Sequence, residues 1–170
     1  RASFGSEAAL GRAVAHHPAA ARANAARGRT LQLYAKPAAA KAAVTREREL
    51  SGKLPRRERA NVEMLARLVD GTGPAPLLFA QEHLAEFPRD VMVLAPCTGV
   101  FGLIGFSGRA GREVEQAEQL DALAGEYGDD WWFLSTDAFA LCETGRMAEA
   151  RRRIDRYVEL YPRTAPGRHG

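Results

Sequence analysis

Leu84-Ala85-Glu86-Phe87-Pro88-Arg89 returns later in the chain as Val158-Glu159-Leu160-Tyr161-Pro162-Arg163, at twice 37 residues. The glycines Gly71, Gly108 and Gly145 follow one another at 37 and again at 37 residues. Stepping back by the same interval from Gly71 reaches Tyr34, in the turn before Lys36-Pro37. The chain therefore reads as four helical hairpins of about 37 residues, preceded by a partial helix. A hairpin of that size cannot bury its apolar face alone, and stacking neighbours gives a continuous core. The predicted fold is all-α, a right-handed solenoid of antiparallel helical hairpins. Residues 1–162 form a single helical-repeat domain and 163–170 a C-terminal tail.

Periodicity and punctuation place the helices. Apolar residues recur at intervals of three and four, not two. An Ala-rich helix is expected over about Ala19–Leu33, and Lys36-Pro37 breaks it. A second helix runs to about Leu50, where Ser51-Gly52 ends it. Pro55 opens the next, since a first-turn proline loses no helical hydrogen bond. Its apolar positions Val62, Leu65, Leu68 and Val69 share one face. The stretch from Asp70 to Pro74 is a turn. Leu77 to Phe87 is helical, and Pro88 stops it. Asp90 is placed to cap an apolar helix reaching about Gly105, kinked at Pro96. Ser107 to Gly111 turns, Arg112 to Tyr127 is amphipathic, and Gly128-Asp129-Asp130 supplies a stop and a cap. Trp131–Glu143 and Arg146–Tyr161 form the final helical pair.

Composition narrows the class. With 170 residues, 46% hydrophobic and 26% charged, the chain is neither disordered nor a disulfide-stapled miniature. Cys97 and Cys142 lie in no CxxC arrangement and read as buried apolar residues of a reducing, cytoplasmic compartment. The uncharged run Val91–Ser107 is too short and too rich in glycine and proline to span a membrane. The chain begins at Arg1, which reads as a trimmed or partial sequence. The net charge is only +3, but residues 1–60 carry +9, residues 61–150 carry −10 and residues 151–170 carry +4. Such segregation steers partners.

No constellation in the sequence carries chemistry. Gly99, Gly102, Gly105 and Gly108 lack the following GK[ST] and the preceding strand of a phosphate loop. They are expected to form a smooth strip against a neighbouring helix. His16 and His17 point in different directions on a helix, Glu82-His83 lacks the second histidine of HExxH, and His169 stands alone. Ser107 lacks a nucleophile elbow. Asp129-Asp130 reads as helix capping, not as an acid pair. No catalytic residue, metal site or cofactor is expected.

With Pro162 as the closing proline, the last hairpin resembles a tetratricopeptide repeat. Ala138, Gly145 and Ala150 then fall at the positions where small side chains let two helices approach. Asp137 stands where leucine is usual, and Met64 occupies a small position of the hairpin around Gly71. Over most of its length the chain is similar to bacterial proteins of the tetratricopeptide repeat protein 38 type. That resemblance rests on Val93-Leu94-Ala95-Pro96, the glycine series, Tyr127-Gly128-Asp129-Asp130-Trp131-Trp132-Phe133-Leu134 and Ala138-Phe139-Ala140-Leu141 with Glu143 and Gly145. Family members are longer, with further repeats after the equivalent of Tyr161. The family implies binding, not a defined reaction.

In the tetratricopeptide register the first helix of each hairpin lines a concave face. That register implies Asn61, Leu65, Thr98, Gly102, Trp132, Ser135, Phe139 and Glu143 on that face. The residues that clamp a peptide carboxylate in chaperone-binding relatives are missing. A groove holding Glu143 in the acidic middle of the chain suits a partly apolar, basic segment. Trp131, Trp132 and Phe133 are consecutive, so at least one must leave the core. Ile154 and Tyr157 on the terminal helix are expected to meet a partner or a second copy. The expected function is therefore a non-catalytic protein-interaction module, a scaffold or accessory subunit. Two alternatives stand beside it. One is nucleic-acid binding through Arg46, Arg48, Lys53, Arg56, Arg57 and Arg59. The other is an enzyme with an unrecognised site.

Overall fold

A computed structural model describes residues 36–71 and 74–163. The expected helix Ala19–Leu33, Tyr34, and the histidines His16, His17 and His169 lie outside the described residues. Among the described residues there are seven α-helices and three short 3₁₀ turns, and no strand. The all-α expectation is met. No described helix is long and apolar enough to cross a membrane. The chain divides into two compact units between His83 and Leu84.

The first unit begins with α1 (Pro37–Leu50), whose proline occupies the first helical position. Ala40, Val44 and Glu47 form its buried face. A 3₁₀ turn at Ser51–Lys53 ends it, with Ser51 Oγ donating to the Arg48 carbonyl at 2.8 Å. Leu54 is extended, and α2 (Arg56–Asp70) follows directly after Pro55. Val62, Met64, Leu65, Ala66 and Leu68 of α2 are core. Arg48 reaches across from α1 to α2, where Nε meets Glu63 at 3.0 Å and Nη1 meets Asp70 at 2.8 Å. Glu63 also accepts from Arg67 at 2.7 Å. Gly71 terminates α2, and α3 (Ala75–Glu86) is tied to α2 by the Arg67 guanidinium, 4.8 Å from the Phe79 ring centre.

The second unit departs from expectation at its start. The helix foreseen to Gly105 lasts only four residues, α4 (Val91–Leu94), and passes into a 3₁₀ turn at Ala95–Cys97. Pro96 does not kink a long helix. It lies where the helix gives out, as its missing N–H and ring demand. Thr98 is extended, and the chain then folds back, with Leu103 N donating to the Pro96 carbonyl at 3.0 Å. A short 3₁₀ turn, Gly105–Ser107, closes the loop. The glycines therefore do not form a strip along a helix: Gly102 and Gly105 allow close backbone approach within this loop, while Gly99 and Gly108 take left-handed conformations at φ 79° and 71°. A Cβ on Gly102 would overlap the Thr98 carbonyl oxygen and lie 2.7 Å from the Cys97 carbonyl carbon. Val93, Leu94, Cys97 and Ile104 anchor the loop in the core, while Phe101 is left 86% exposed and Phe106 77%.

The rest of this unit matches the periodicity closely. It comprises α5 (Arg112–Tyr127), α6 (Trp131–Glu143) and α7 (Met147–Leu160). Asp130 caps α6, its Oδ1 accepting from the Trp132 and Phe133 amides at 3.0 Å each. At the other end the Gly145 amide bonds the Cys142 carbonyl and the Arg146 amide bonds that of Leu141. This paired closure needs a left-handed residue, here Gly145 at φ 76°. Gly71 and Gly108 share that conformation, at φ 68° and 71°. Leu120, Phe133, Leu134, Ala138, Leu141, Ala150 and Tyr157 form the core. Tyr127 stacks on Phe133, with centroids 4.5 Å apart. Arg156 of α7 pairs with Asp129 in the α5–α6 turn, and Tyr161 Oη donates to the Asp129 carbonyl at 3.0 Å.

Candidate functional site

The second unit holds an open groove of about 930 Å³, within the size range of binding clefts. Three segments build it. The loop after α4 contributes Thr98 and Gly99, α6 contributes one face along Ser135, Phe139, Cys142 and Glu143, and α7 contributes Met147, Arg151, Ile154 and Asp155. The α6 residues recur at three and four, so a single helical face supplies them. The α7 residues do the same. Ala138 and Ala150 line the floor, where small side chains leave the space open.

Most polar groups of this groove already have partners within the chain. Ser135 Oγ and Thr136 Oγ1 both donate to the Trp132 carbonyl, at 2.9 and 2.8 Å. Thr98 Oγ1 donates to the Ala95 carbonyl at 3.1 Å. With their hydroxyls satisfied by backbone, these residues need no partner from a ligand. Arg151 and Asp155 pair with each other at 2.8 Å. Glu143 is exposed and forms no ion pair among the described residues. The surface offered is thus mainly apolar, with Glu143 its one carboxylate without an ion pair among the described residues.

A small side chamber of about 40 Å³ opens beside the groove and shares Gly99, Phe139 and Glu143 with it. Val100, Gly105, Arg112, Glu113 and Gln116 complete its lining. Arg112 and Glu113 pair at 2.9 Å. Gln116 is buried, and its Oε1 has no hydrogen-bond partner.

The sequence-selected residues fall into two groups. Thr98, Ser135, Phe139, Glu143 and Ile154 all line this one groove. The others do not. Asn61 and Leu65 are buried in the first unit. Trp132 is half-buried, 6.1 Å from the Tyr127 ring. Gly102 is buried within the loop. Tyr157 is fully buried, so it belongs to the core and offers no surface to a partner. Of the three consecutive aromatics, Trp131 is the exposed one and Phe133 is core. Sequence reasoning missed Met147, Arg151 and Asp155 as wall residues. Their spacing with Ile154 on α7 was the available signal. The side chamber was only half legible: Phe139 and Glu143 were selected, but its loop residues Gly99, Val100 and Gly105 were expected in a helix, and nothing marked Arg112, Glu113 and Gln116 as facing them.

Other groups have settled roles. Burial pushes the Cys97 thiol up to about 12, and its Sγ donates to the Val93 carbonyl. It is an unreactive core residue, whereas Cys142, expected to be buried as well, is exposed on the groove side of α6. Among the described residues no group of three His, Cys, Asp or Glu could hold a metal ion. In the basic segment Arg48 is committed to Glu63 and Asp70, and Arg46 pairs with Glu49 at 3.6 Å. Compared with protein-family models, curated proteins and solved structures, the chain matches none.

Proposed function

We propose that this chain is a tetratricopeptide-like interaction module without catalysis of its own. In this reading it is a scaffold or accessory subunit whose groove receives a partly apolar, basic segment of a protein partner. The observation that carries the reading is the groove itself. Its lining is mainly apolar, the Thr98, Ser135 and Thr136 hydroxyls are bonded to backbone, Arg151 and Asp155 pair with each other, and among the described residues Glu143 is its one charge without an ion pair. Such a surface gains by covering apolar area and has few polar groups to desolvate. The shared left-handed glycines at a 37-residue interval support a repeat of hairpins, and a right-handed solenoid belongs to the same reading. The basic segment supports nucleic-acid binding less well, since Arg48 already spreads its charge over two carboxylates.

The test uses the tagged protein and its Met147→Lys variant, purified from the native cell with and without nuclease, at low and high salt. Met147 is 63% exposed, so the substitution alters the groove wall without disturbing the core. The expected result is a stoichiometric protein partner that survives nuclease and salt. Its recovery should fall by about tenfold with Met147→Lys, as for a contact at the centre of an interface. Nucleic acid recovered at low salt and lost at high salt would transfer the function to the basic segment.

A further inference from the structure

We propose that two copies of this chain pair reciprocally, each seating Phe101 and Phe106 in the other's groove. The inference goes beyond the interaction reading, because it gives the groove an occupant that a partner segment must displace. The projection is the loop after α4, which leaves both rings largely in water. That loop is fixed in place. A Cβ at Gly102 would overlap the Thr98 carbonyl oxygen, and one at Gly105 the Gly99 carbonyl oxygen, so the backbone is packed on itself. Cys97 and Ile104 are fully buried and anchor it. The rings stand on a preorganised support, so seating them loses little freedom.

The hollow adjoins the projection. Phe101 and Phe106 each directly follow a residue that lines the side chamber, Val100 and Gly105. The chamber in turn shares Gly99, Phe139 and Glu143 with the groove. A surface with an apolar projection beside an apolar hollow can match its own two-fold copy, which an isologous dimer requires. A second copy satisfies both features at once. The area is also sufficient. Two rings exposed to this degree leave roughly 300 Å² per copy in water, comparable to the largest apolar patch of many monomers. Seated, they cover a like area of groove, and two-fold symmetry doubles both to roughly 1,200 Å², where specific interfaces begin. A dimer at that limit is reversible and of micromolar affinity. Arg109 and Arg112, the nearest cations after the loop, pair with Glu115 and Glu113, so an anionic membrane finds no unpaired charge there.

Sedimentation velocity of the purified protein from about 1 to about 200 µM, the range of a weak dimer, provides the test. The double variant Phe101→Ser with Phe106→Ser removes the projection, and Met147→Lys obstructs the groove. All three positions are exposed, so the core is untouched. Wild type should pass from monomer to dimer, and each variant should dimerise at least about tenfold more weakly. Mixed one to one, the two variants should associate better than either alone. The Met147→Lys copy still carries the rings, and the double variant still carries an open groove. A wild type that stays monomeric overturns the proposal, and its cosedimentation with phosphatidylcholine–phosphatidylserine vesicles would assign the loop to a membrane instead. A dimer that either variant leaves intact, or a mixture no better than its parts, overturns reciprocal seating. Species that keep growing with concentration would show an open head-to-tail contact and overturn it as well. None of these outcomes touches the interaction reading, which is decided by the partner recovered from the cell.

Discussion

Asp137 occupies a helix position fully buried between α6 and α7, where leucine would pack with no charge to desolvate. Its Oδ2 accepts from Arg153 Nε at 2.7 Å, but Oδ1 has no partner. Burial raises the pKa of this carboxyl, and Arg153 and, more weakly, Arg146 pull it down, while Asp121 adds to the rise. A carboxyl whose folded pKa is raised holds its proton in the native state to higher pH than in the unfolded chain. Its contribution to stability is fully present below the unfolded value, about 3.9, and is lost as pH rises through the folded value. Asp137→Asn removes that loss. The melting temperature of the variant relative to wild type should therefore rise between pH 4 and pH 7. A difference that stays flat or falls across that window would count against the burial argument. Comparing the two proteins cancels Asp129 and Glu149, whose lowered values act in the opposite sense at lower pH.

Two glycines separate steric need from mere composition. Gly102→Ala drives a methyl into the Thr98 carbonyl, which is backbone and cannot swing away. It should cost about 3 kcal/mol. Gly125 lies inside α5 with nothing within 4 Å of its absent Cβ. Gly125→Ala should therefore stabilise the chain by about 0.5–1 kcal/mol. Urea unfolding of both variants reads the contrast, which disappears if the loop is not packed as described.

At the scale of elements, Asp90 and Asp130 look alike in sequence, each preceding an apolar run. Only Asp130 caps, because α6 continues for 13 residues and its first amides converge on the carboxylate. Asp90 precedes a four-residue helix and makes no side-chain cap bond. Asp130→Ala should cost about 1 kcal/mol, or about 2–4 °C in melting temperature for a chain of this size. Asp130→Asn should cost much less, since its amide oxygen can accept the same bonds. Equal losses from the two variants would show that charge, not capping geometry, matters there. The same comparison explains where reading by period succeeds. The helices α5, α6 and α7 were legible because their caps, stops and apolar faces agree. The stretch after Asp90 was misread because its apolar residues fit a helix while Pro96 and Gly99 forbid one.

At the scale of the molecule, the division at His83 and Leu84 leaves the groove and its chamber wholly within the second unit. That unit has its own core, from Val93, Leu94 and Ile104 through Phe133 and Leu141 to Tyr157. Residues 84–170 expressed alone should give a helical spectrum and one cooperative unfolding transition. A fragment without a cooperative transition would show that the first unit is needed for this one to fold.

The amino-acid sequence by itself determined α1, α2, α3, α5, α6 and α7 to within a few residues at their ends, since capping, proline placement and apolar spacing act locally. It also placed Thr98, Ser135, Phe139, Glu143 and Ile154 among the residues to watch. It could not separate them from Asn61, Leu65 and Tyr157, because helical spacing marks a face without saying whether that face is covered. Only the tertiary structure decided this. The groove exists because a glycine-tied loop, one face of α6 and one face of α7 converge, and the chamber because that loop folds back on Cys97 and Thr98. Burial of a side chain depends on what distant segments bring against it, and no local pattern records that.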